Sequence, residues 1–240
     1  MTLGQAMLGR LDDEVYLSVH DKIVSRDLMP GQLVNQSLLS RHLGVSRTPL
    51  RRAMARLEAE GLLVRGVSGW SVQDFSRDEM AVIFEVRAVL EGLACRLAAA
   101  TVGKDRLAAH EVMFSEAISA YRDGDAGAYY DADVRFHHEL LMASGRALLV
   151  STTQHHQVLS NSLSHGLYRD PEETLTEHLG IIEALRQRDG DSAEDRMRRH
   201  IRLAVPNVLA DRIIVPRSFG RDFNETSPTQ TDPAGPQHGH

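Results

Sequence analysis

Across 240 residues this chain has one cysteine, one tryptophan and only 5% aromatic residues. A single thiol, Cys95, closes no disulfide, which excludes a bridge-stapled fold and a cysteine-based metal site. Its setting, LEGLACRLAAA, reads as a small buried residue on a helix. No apolar run approaches the roughly 20 residues that cross a bilayer, and the start, MTLGQAMLGRLDDE, lacks the basic-then-apolar layout of a signal peptide. Both absences predict a cytoplasmic protein with no membrane partner. Positive charge is in deficit, with 27 Lys and Arg against 33 Asp and Glu and a formal net charge of −6. That balance argues against a nucleic-acid partner only if the charge is evenly spread, because binding depends on a local patch.

The charge is not evenly spread. Between residues 37 and 70 stand Arg41, Arg47, Arg51, Arg52, Arg56 and Arg65 against two acids, Glu58 and Glu60. Helical periodicity frames this basic window. Val15, Val19, Ile23 and Val24 form an apolar stripe that stops near Asp27, and MPG at 29–31 breaks the chain. NQSLLSRHLGVS then reads as a short helix closed by Gly44, and RTPLRRAMARLEAEGLL as a second that ends at Gly61. Ser46 occupies the N-cap position, where its hydroxyl could satisfy open backbone N–H groups, and Pro49 is tolerated in the first turn. LVRGVSGWSVQDF follows, two β-prone segments around a turn with Gly66 and Gly69, which predicts a small hairpin.

A helix, a tight turn, a second helix and a two-stranded wing together lay one helix into the major groove of DNA. Arg47 and Arg51 would project from the entering end, where a planar guanidinium suits guanine O6 and N7. Arg52 crowds the same helix end, and Ser46 and Thr48 are placed to reach phosphates. Leu50, Met54 and Leu57 recur at helical spacing and are assigned to packing, and His42 to the surface.

Ser76 and Glu79 form a capping box that opens a second, all-helical region. From Arg77 to about Arg212 some six helices are expected, with breaks at Gly103, 124–127, near Gly145, 169–171 and 189–191, so a helical bundle is predicted. Beyond Pro216 the text FNETSPTQTDPAGPQHGH is too polar to fold and is expected to be a disordered tail, its two histidines solvated. The expected domains are 1–75 for DNA, 76–215 for the bundle and 216–240 for the tail.

Within the bundle, YYDADVRFHHELL places Asp133 and His137 four apart on one helix face. His178 and His200 each lie 11 residues from position 189. On antiparallel helices joined there, they come to one level among apolar neighbours. An Asp plus three His site follows, suited to zinc first, with nickel, manganese or iron as alternatives. Arg87 and Glu91 fall within the apolar stripe of EMAVIFEVRAVLEGLACRLAA. A guanidinium facing inward needs an anion, either Glu91 one turn on or an acid effector bridging to the metal. His138 points about 100° from His137, outside the site. His155 and His156 lie on a helix that could line the cavity.

PGQLVNQSLLSRHLGVSRTPLRRAMARLEAEGLLVR resembles the winged helix-turn-helix of GntR-type transcription regulators. The layout E-V-R-x-x-L-E-G-L-A, D-x-x-x-x-H-x-x-L (with His in the preceding place), E-H and M-x-x-H-I is similar to the FCD ligand-binding domain of their FadR-type branch. The resemblance implies a homodimer on a palindromic operator, with Arg47, Thr48 and Arg51 against DNA and Gly69 in the wing. It also implies a divalent metal held by Asp133, His137, His178 and His200 beneath a small carboxylate engaged by Arg87. Two departures stand out: Ser37 early in the second helix, in place of a charged residue, and Arg146, where the family often has Asn, an extra cation that would either favour a more highly charged acid or abolish a contact. The expected function is therefore a DNA-binding transcription regulator, a repressor controlled by a small organic acid, with Arg87, Arg146 and His155 at the effector. A regulator for which the ion itself is the signal and a metal-dependent hydrolase are the competing classes. The hydrolase leaves residues 30–72 without a role and lacks a further carboxylate as general base.

Overall fold

The computed structural model describes residues 3–153 and 166–215. Helix α1 (Leu3–Val24) buries Val15, Val19 and Ile23 at four-residue spacing and ends shortly before Asp27, where Arg26 takes a left-handed φ of 60°. Helix α2 (Gln36–His42) is capped by Asn35, whose side chain accepts from the Leu38 N–H at 3.0 Å. A tight turn through Gly44, at a φ of 64° that glycine adopts without strain, leads into α3 (Arg47–Ala59). Its buried side, Leu50, Ala53, Met54 and Leu57, packs mainly on α1. Ser46 stands at the N-cap with extended backbone, but its hydroxyl makes no capping hydrogen bond, contrary to the sequence expectation. The first amides of α3 are left without that side-chain partner.

Strands β1 (Leu63–Gly66) and β2 (Gly69–Val72) form the antiparallel hairpin, with Val67 fully exposed at its tip. A third segment joins them that the sequence did not announce. Leu33 bridges to Ser71, the Val34 N–H donates to the Trp70 carbonyl at 2.8 Å and the Val72 N–H to the Gln32 carbonyl at 2.9 Å. The pairing is too short to show an alternating pattern and directly follows the MPG break, so it reads as loop.

The capping box is formed at Ser76 and Glu79, and α4 (Arg77–Ala98) runs from it as the spine of the helical region. Helices α5 (Lys104–Arg122) and α6 (Ala126–Ala143) follow, then helical turns at 147–153. Helices α7 (Pro171–Arg186), α8 (Gly190–Arg202) and α9 (Val205–Leu209) complete the described chain. Asp125, Asp170 and Asp189 cap α6, α7 and α8 through their side chains, so three of the breaks read from sequence carry their own hydrogen-bond signal, while α5 starts at Gly103 without a side-chain cap. The last expected helix is split at Leu203 and Ala204. Pro206 supplies no N–H to continue the ladder and instead starts α9.

Helix α4 packs along α8 and against α6 and α9, while α5 lies on α6 and α7. Phe114, Tyr129 and Phe136 are fully buried between these layers, and Cys95 is buried on α4. A two-way backbone bridge, Leu167 to Ile214 at 3.0 and 2.8 Å, ties the entry of α7 to the chain end. The tail 216–240 with His238 and His240, and the pair His155 and His156, lie outside the described residues. Among the described residues no helix is long and apolar enough to cross a membrane.

The Leu167 bridge depends on the absence of a side chain beside it. A Cβ at Gly166 would lie 2.4 Å from the Ile214 carbonyl oxygen, which is backbone and has little room to yield. Gly166→Ala should therefore lower stability by about 1–3 kcal/mol in urea unfolding. A change under about 0.5 kcal/mol would mean that the bridge is not part of the folded state.

Candidate metal centre and nucleic-acid interface

Three helices bring four side chains to one point. Helix α6 carries Asp133 and His137 one turn apart, α7 carries His178, and α8 returns antiparallel with His200. One donor atom from each lies within 4.8 Å of the others. Asp133 Oδ1 is 3.2 Å from His178 Nε2 and 3.9 Å from His137 Nε2, and the Nε2 atoms of His137 and His200 are 3.3 Å apart.

The outer nitrogen of every ring is held. His137 Nδ1 meets Glu91 Oε2 at 2.5 Å, His200 Nδ1 meets Glu177 Oε2 at 2.8 Å, and His178 Nδ1 meets the Tyr129 hydroxyl at 3.2 Å. An ionised carboxylate only accepts, so Nδ1 of His137 and His200 must donate and, in the neutral rings, Nε2 is left as a lone pair. Two lone pairs then face each other across 3.3 Å with a carboxylate beside them. His178 Nε2 is buried without a hydrogen bond, since Asp133 is near but off its axis. Such an arrangement calls for a cation. Metal–nitrogen bonds of about 2.0–2.1 Å set neighbouring donors about 2.9–3.4 Å apart at octahedral or tetrahedral angles, the separation found for the closer pairs.

Protonation favours ligation as well. Burial, aided by the charge of His200, pushes the His178 imidazole down to about 3, and burial also lowers His200. Both rings are neutral at neutral pH. For Asp133 burial acts to raise the pKa, but the imidazoles of His137 and His178 outweigh it and keep the carboxylate ionised. Glu91 is likewise buried, yet Arg87 and His137 hold it at about 2. His137 shifts the other way: Glu91 and Asp133 outweigh burial and raise it, so a bound metal competes there with a proton.

Arg87 settles on Glu91, with Nε 2.7 Å from Oε1, and Glu91 passes the contact to His137. Arg169 builds a parallel chain, with Nη1 2.6 Å from Glu177 Oε2 and Glu177 in turn on His200. Sequence reasoning missed Arg169 and Glu177. Arg169 precedes α7 and carries no periodic signal, and Glu177 resembles any exposed helix acid until His200 is seen beside it. A cavity of about 610 Å³ opens over the ligands, and both arginines line it. His138, though outside the ligand cluster, also lines it. Arg146, placed at the effector from sequence, does not: it follows Gly145, whose φ is 64°, and is exposed and not among the residues that line the cavity.

In the winged helix-turn-helix, Arg47, Thr48 and Arg51 are exposed on α3. Arg47 donates to the Ser37 hydroxyl at 3.1 Å, so the serine that departs from the family pattern orients this guanidinium. Arg51 makes no ion pair among the described residues. Arg52, grouped with the DNA contacts from sequence, is turned by one helical step toward α1 and pairs with Asp12 at 3.0 Å. Arg56 pairs in the same way with Asp13. Gly69 opens β2 at a φ of 117°, a backbone angle suited to glycine, and Arg65 lies over the Trp70 ring at 4.9 Å.

Residues 82–203 match the FCD domain family, and residues 11–71 match the bacterial regulatory proteins of the gntR family. A proposed L-lactate dehydrogenase operon regulatory protein of Escherichia coli strain K12 is 31% identical over 223 residues, covering 80% of this chain and 84% of the relative. The HTH-type transcriptional repressor RspR of the same strain is 24% identical over 195 residues, with 80% and 86% covered. Among solved structures, McbR/YncC of E. coli superposes with a TM-score of 0.70 at 19% identity over 84% of this chain and 98% of that one. A GntR regulator from Rhodococcus sp. RHA1 reaches 0.69 at 18% identity over 83% and 97%. A winged helix-turn-helix followed by a helical FCD domain defines a DNA-binding transcription regulator. The chain belongs to the GntR family of DNA-binding transcriptional regulators, in the branch that carries an FCD domain.

The Tyr129 hydroxyl bridges His178 and Thr174, all three buried. Tyr129→Phe leaves that imidazole nitrogen without a partner and should cost the metal-free protein about 1–3 kcal/mol in denaturant unfolding. An unchanged midpoint would show that the tyrosine does not hold the ring.

Proposed function

We propose that this regulator binds its operator as a homodimer and is a repressor released by a small organic acid, which is held at a divalent metal in the helical domain. The observation that carries this is the convergence of three imidazoles and one carboxylate, one donor atom of each within 4.8 Å of the others, beside a cavity lined by Asp133, His137 and His200. Asp133, His137, His178 and His200 would hold the ion, zinc first among nickel, manganese and iron. The ion supplies a Lewis-acidic seat for a carboxylate. Arg87 stands in the cavity wall beside it as the second anion anchor, and Glu91 and Glu177 keep two of the rings in the ligating tautomer. A cavity of about 610 Å³ far exceeds what an ion requires, which favours an organic effector over the ion alone as signal.

For DNA, Arg47, Thr48 and Arg51 with the uncapped start of α3 are the proposed contacts, Ser46 reaching phosphate and Gly69 letting the wing approach. Val82 and Val89, two turns apart on α4, are exposed apolar residues that a second copy could cover. A two-fold dimer reads a palindrome.

In fluorescence anisotropy on its own promoter DNA, Arg51→Ala should weaken specific binding by about 1–3 kcal/mol, while Arg52→Ala, tied to Asp12, should cost less. Equal losses, or none for Arg51, would overturn the interface. In chelator competition, His178→Ala should abolish stoichiometric metal binding and Glu91→Gln should weaken it about 10–100-fold. Retained full affinity in His178→Ala would remove the metal centre from the account.

A further inference from the structure

The cavity over the metal ligands has walls from both ends of the chain. The helical domain lines it with polar side chains, Arg87, Asp133, His137 and His200, and with apolar ones, Phe84, Tyr168 and Ile201. The remaining wall is the DNA-binding head itself: Tyr16 and His20 of α1, Glu60 at the end of α3 and Leu62 beyond it. None of the head residues was expected at an effector site from sequence, and no aspect of the metal centre explains them.

We propose that the head completes the effector site, and that the effector is a two-ended organic acid: a carboxylate at the metal and Arg87, an apolar middle, and a distal hydrogen-bond donor received by Glu60 and Tyr16. This rests on the reading of the metal centre as a carboxylate seat. Size supports it first. A two-carbon acid fills on the order of 90 Å³, about three waters' share, and would leave most of the roughly 610 Å³ empty. Chemistry supports the donor. The Tyr16 hydroxyl already donates to Glu60 Oε2 at 2.7 Å, so what it offers the cavity is its oxygen lone pairs. Glu60 adds a carboxylate, with Oε1 taking a 3.3 Å bond from Arg56. Burial, with Glu60 beside it, raises the Tyr16 phenol to about 12, so it remains a neutral hydroxyl. The face is acceptor-rich and selects a hydroxyl or amino group over a second carboxylate.

The position of Glu60 gives the contact a consequence. It is the C-cap of α3, the helix whose other end carries Arg47 and Arg51, and its neighbour Arg56 stacks on the Tyr16 ring at 3.7 Å and pairs with Asp13. A ligand group at Glu60 touches the DNA-reading helix directly. Effector and operator then act on one element, and the factor by which bound effector changes operator affinity equals the factor by which bound operator changes effector affinity.

The test uses the metal-loaded full chain and calorimetric titration of ω-hydroxyalkanoates of four to ten carbons beside the plain acids of equal length, with acetate as the one-ended control. At one chain length the hydroxy acid should bind at least about tenfold tighter than its parent, and in Tyr16→Phe and Glu60→Gln that ratio should fall toward one. Tyr16→Phe keeps the ring beneath Arg56, and a ratio taken within each variant is insensitive to partial loss of folded protein. Equal affinities of hydroxy and plain acids at every length, or an undiminished ratio in both variants, overturns the inference while leaving the carboxylate seat intact. Failure of acetate and of every longer acid to bind the loaded protein removes the seat, and the inference with it.

Discussion

The arrangement of the helical domain turns on where three imidazoles keep their outer nitrogens. Glu91, Tyr129 and Glu177 come from α4, α6 and α7, and each takes one Nδ1, so each ring presents Nε2 to the same point beside Asp133. Burying four ionisable groups together would be costly without such partners, since an unpaired buried charge loses several kcal/mol of hydration. Here the carboxylates are satisfied on their outer side by Arg87 and Arg169. Charge is balanced outward, and the unmet demand faces inward.

The same pairing explains the packing around the site. Phe114 stacks on His178 with ring centroids 4.4 Å apart, and Phe136 meets that ring edge-on at 5.2 Å, so aromatic surface as well as hydrogen bonds fixes the imidazole. α4 holds Arg87 and Glu91 in register because they are one turn apart, and α7 and α8 hold His178 and His200 level because they leave one tight turn in opposite directions. From the head, α1 and the end of α3 reach the cavity above them.

Much of this was legible in the residues. Period-3.6 stripes, the capping box at Ser76 and the glycines at 44 and 61 mark the helices, and the equal distance of His178 and His200 from position 189 predicts their meeting. What escaped was of two kinds. Short pairings such as Leu33 with Ser71 and Leu167 with Ile214 involve single residues and leave no periodic trace. Side-chain direction on irregular backbone is also invisible. Arg146 and Arg169 both flank helices, yet the first turns outward after Gly145 and the second lies 12% exposed in the cavity wall. The placement of Arg52 against Asp12 shows a related limit: basic residues one position apart on a helix face different partners, and only the neighbouring helix decides which is free.

Anomalous diffraction at the metal edge of a zinc-soaked crystal of the full chain tests the central claim most directly. The account predicts a peak bonded through Nε2 of His137, His178 and His200 and through an oxygen of Asp133, with Nδ1 of His137 and His200 still on Glu91 and Glu177. A peak elsewhere, or rings turned to bind through Nδ1, would contradict it.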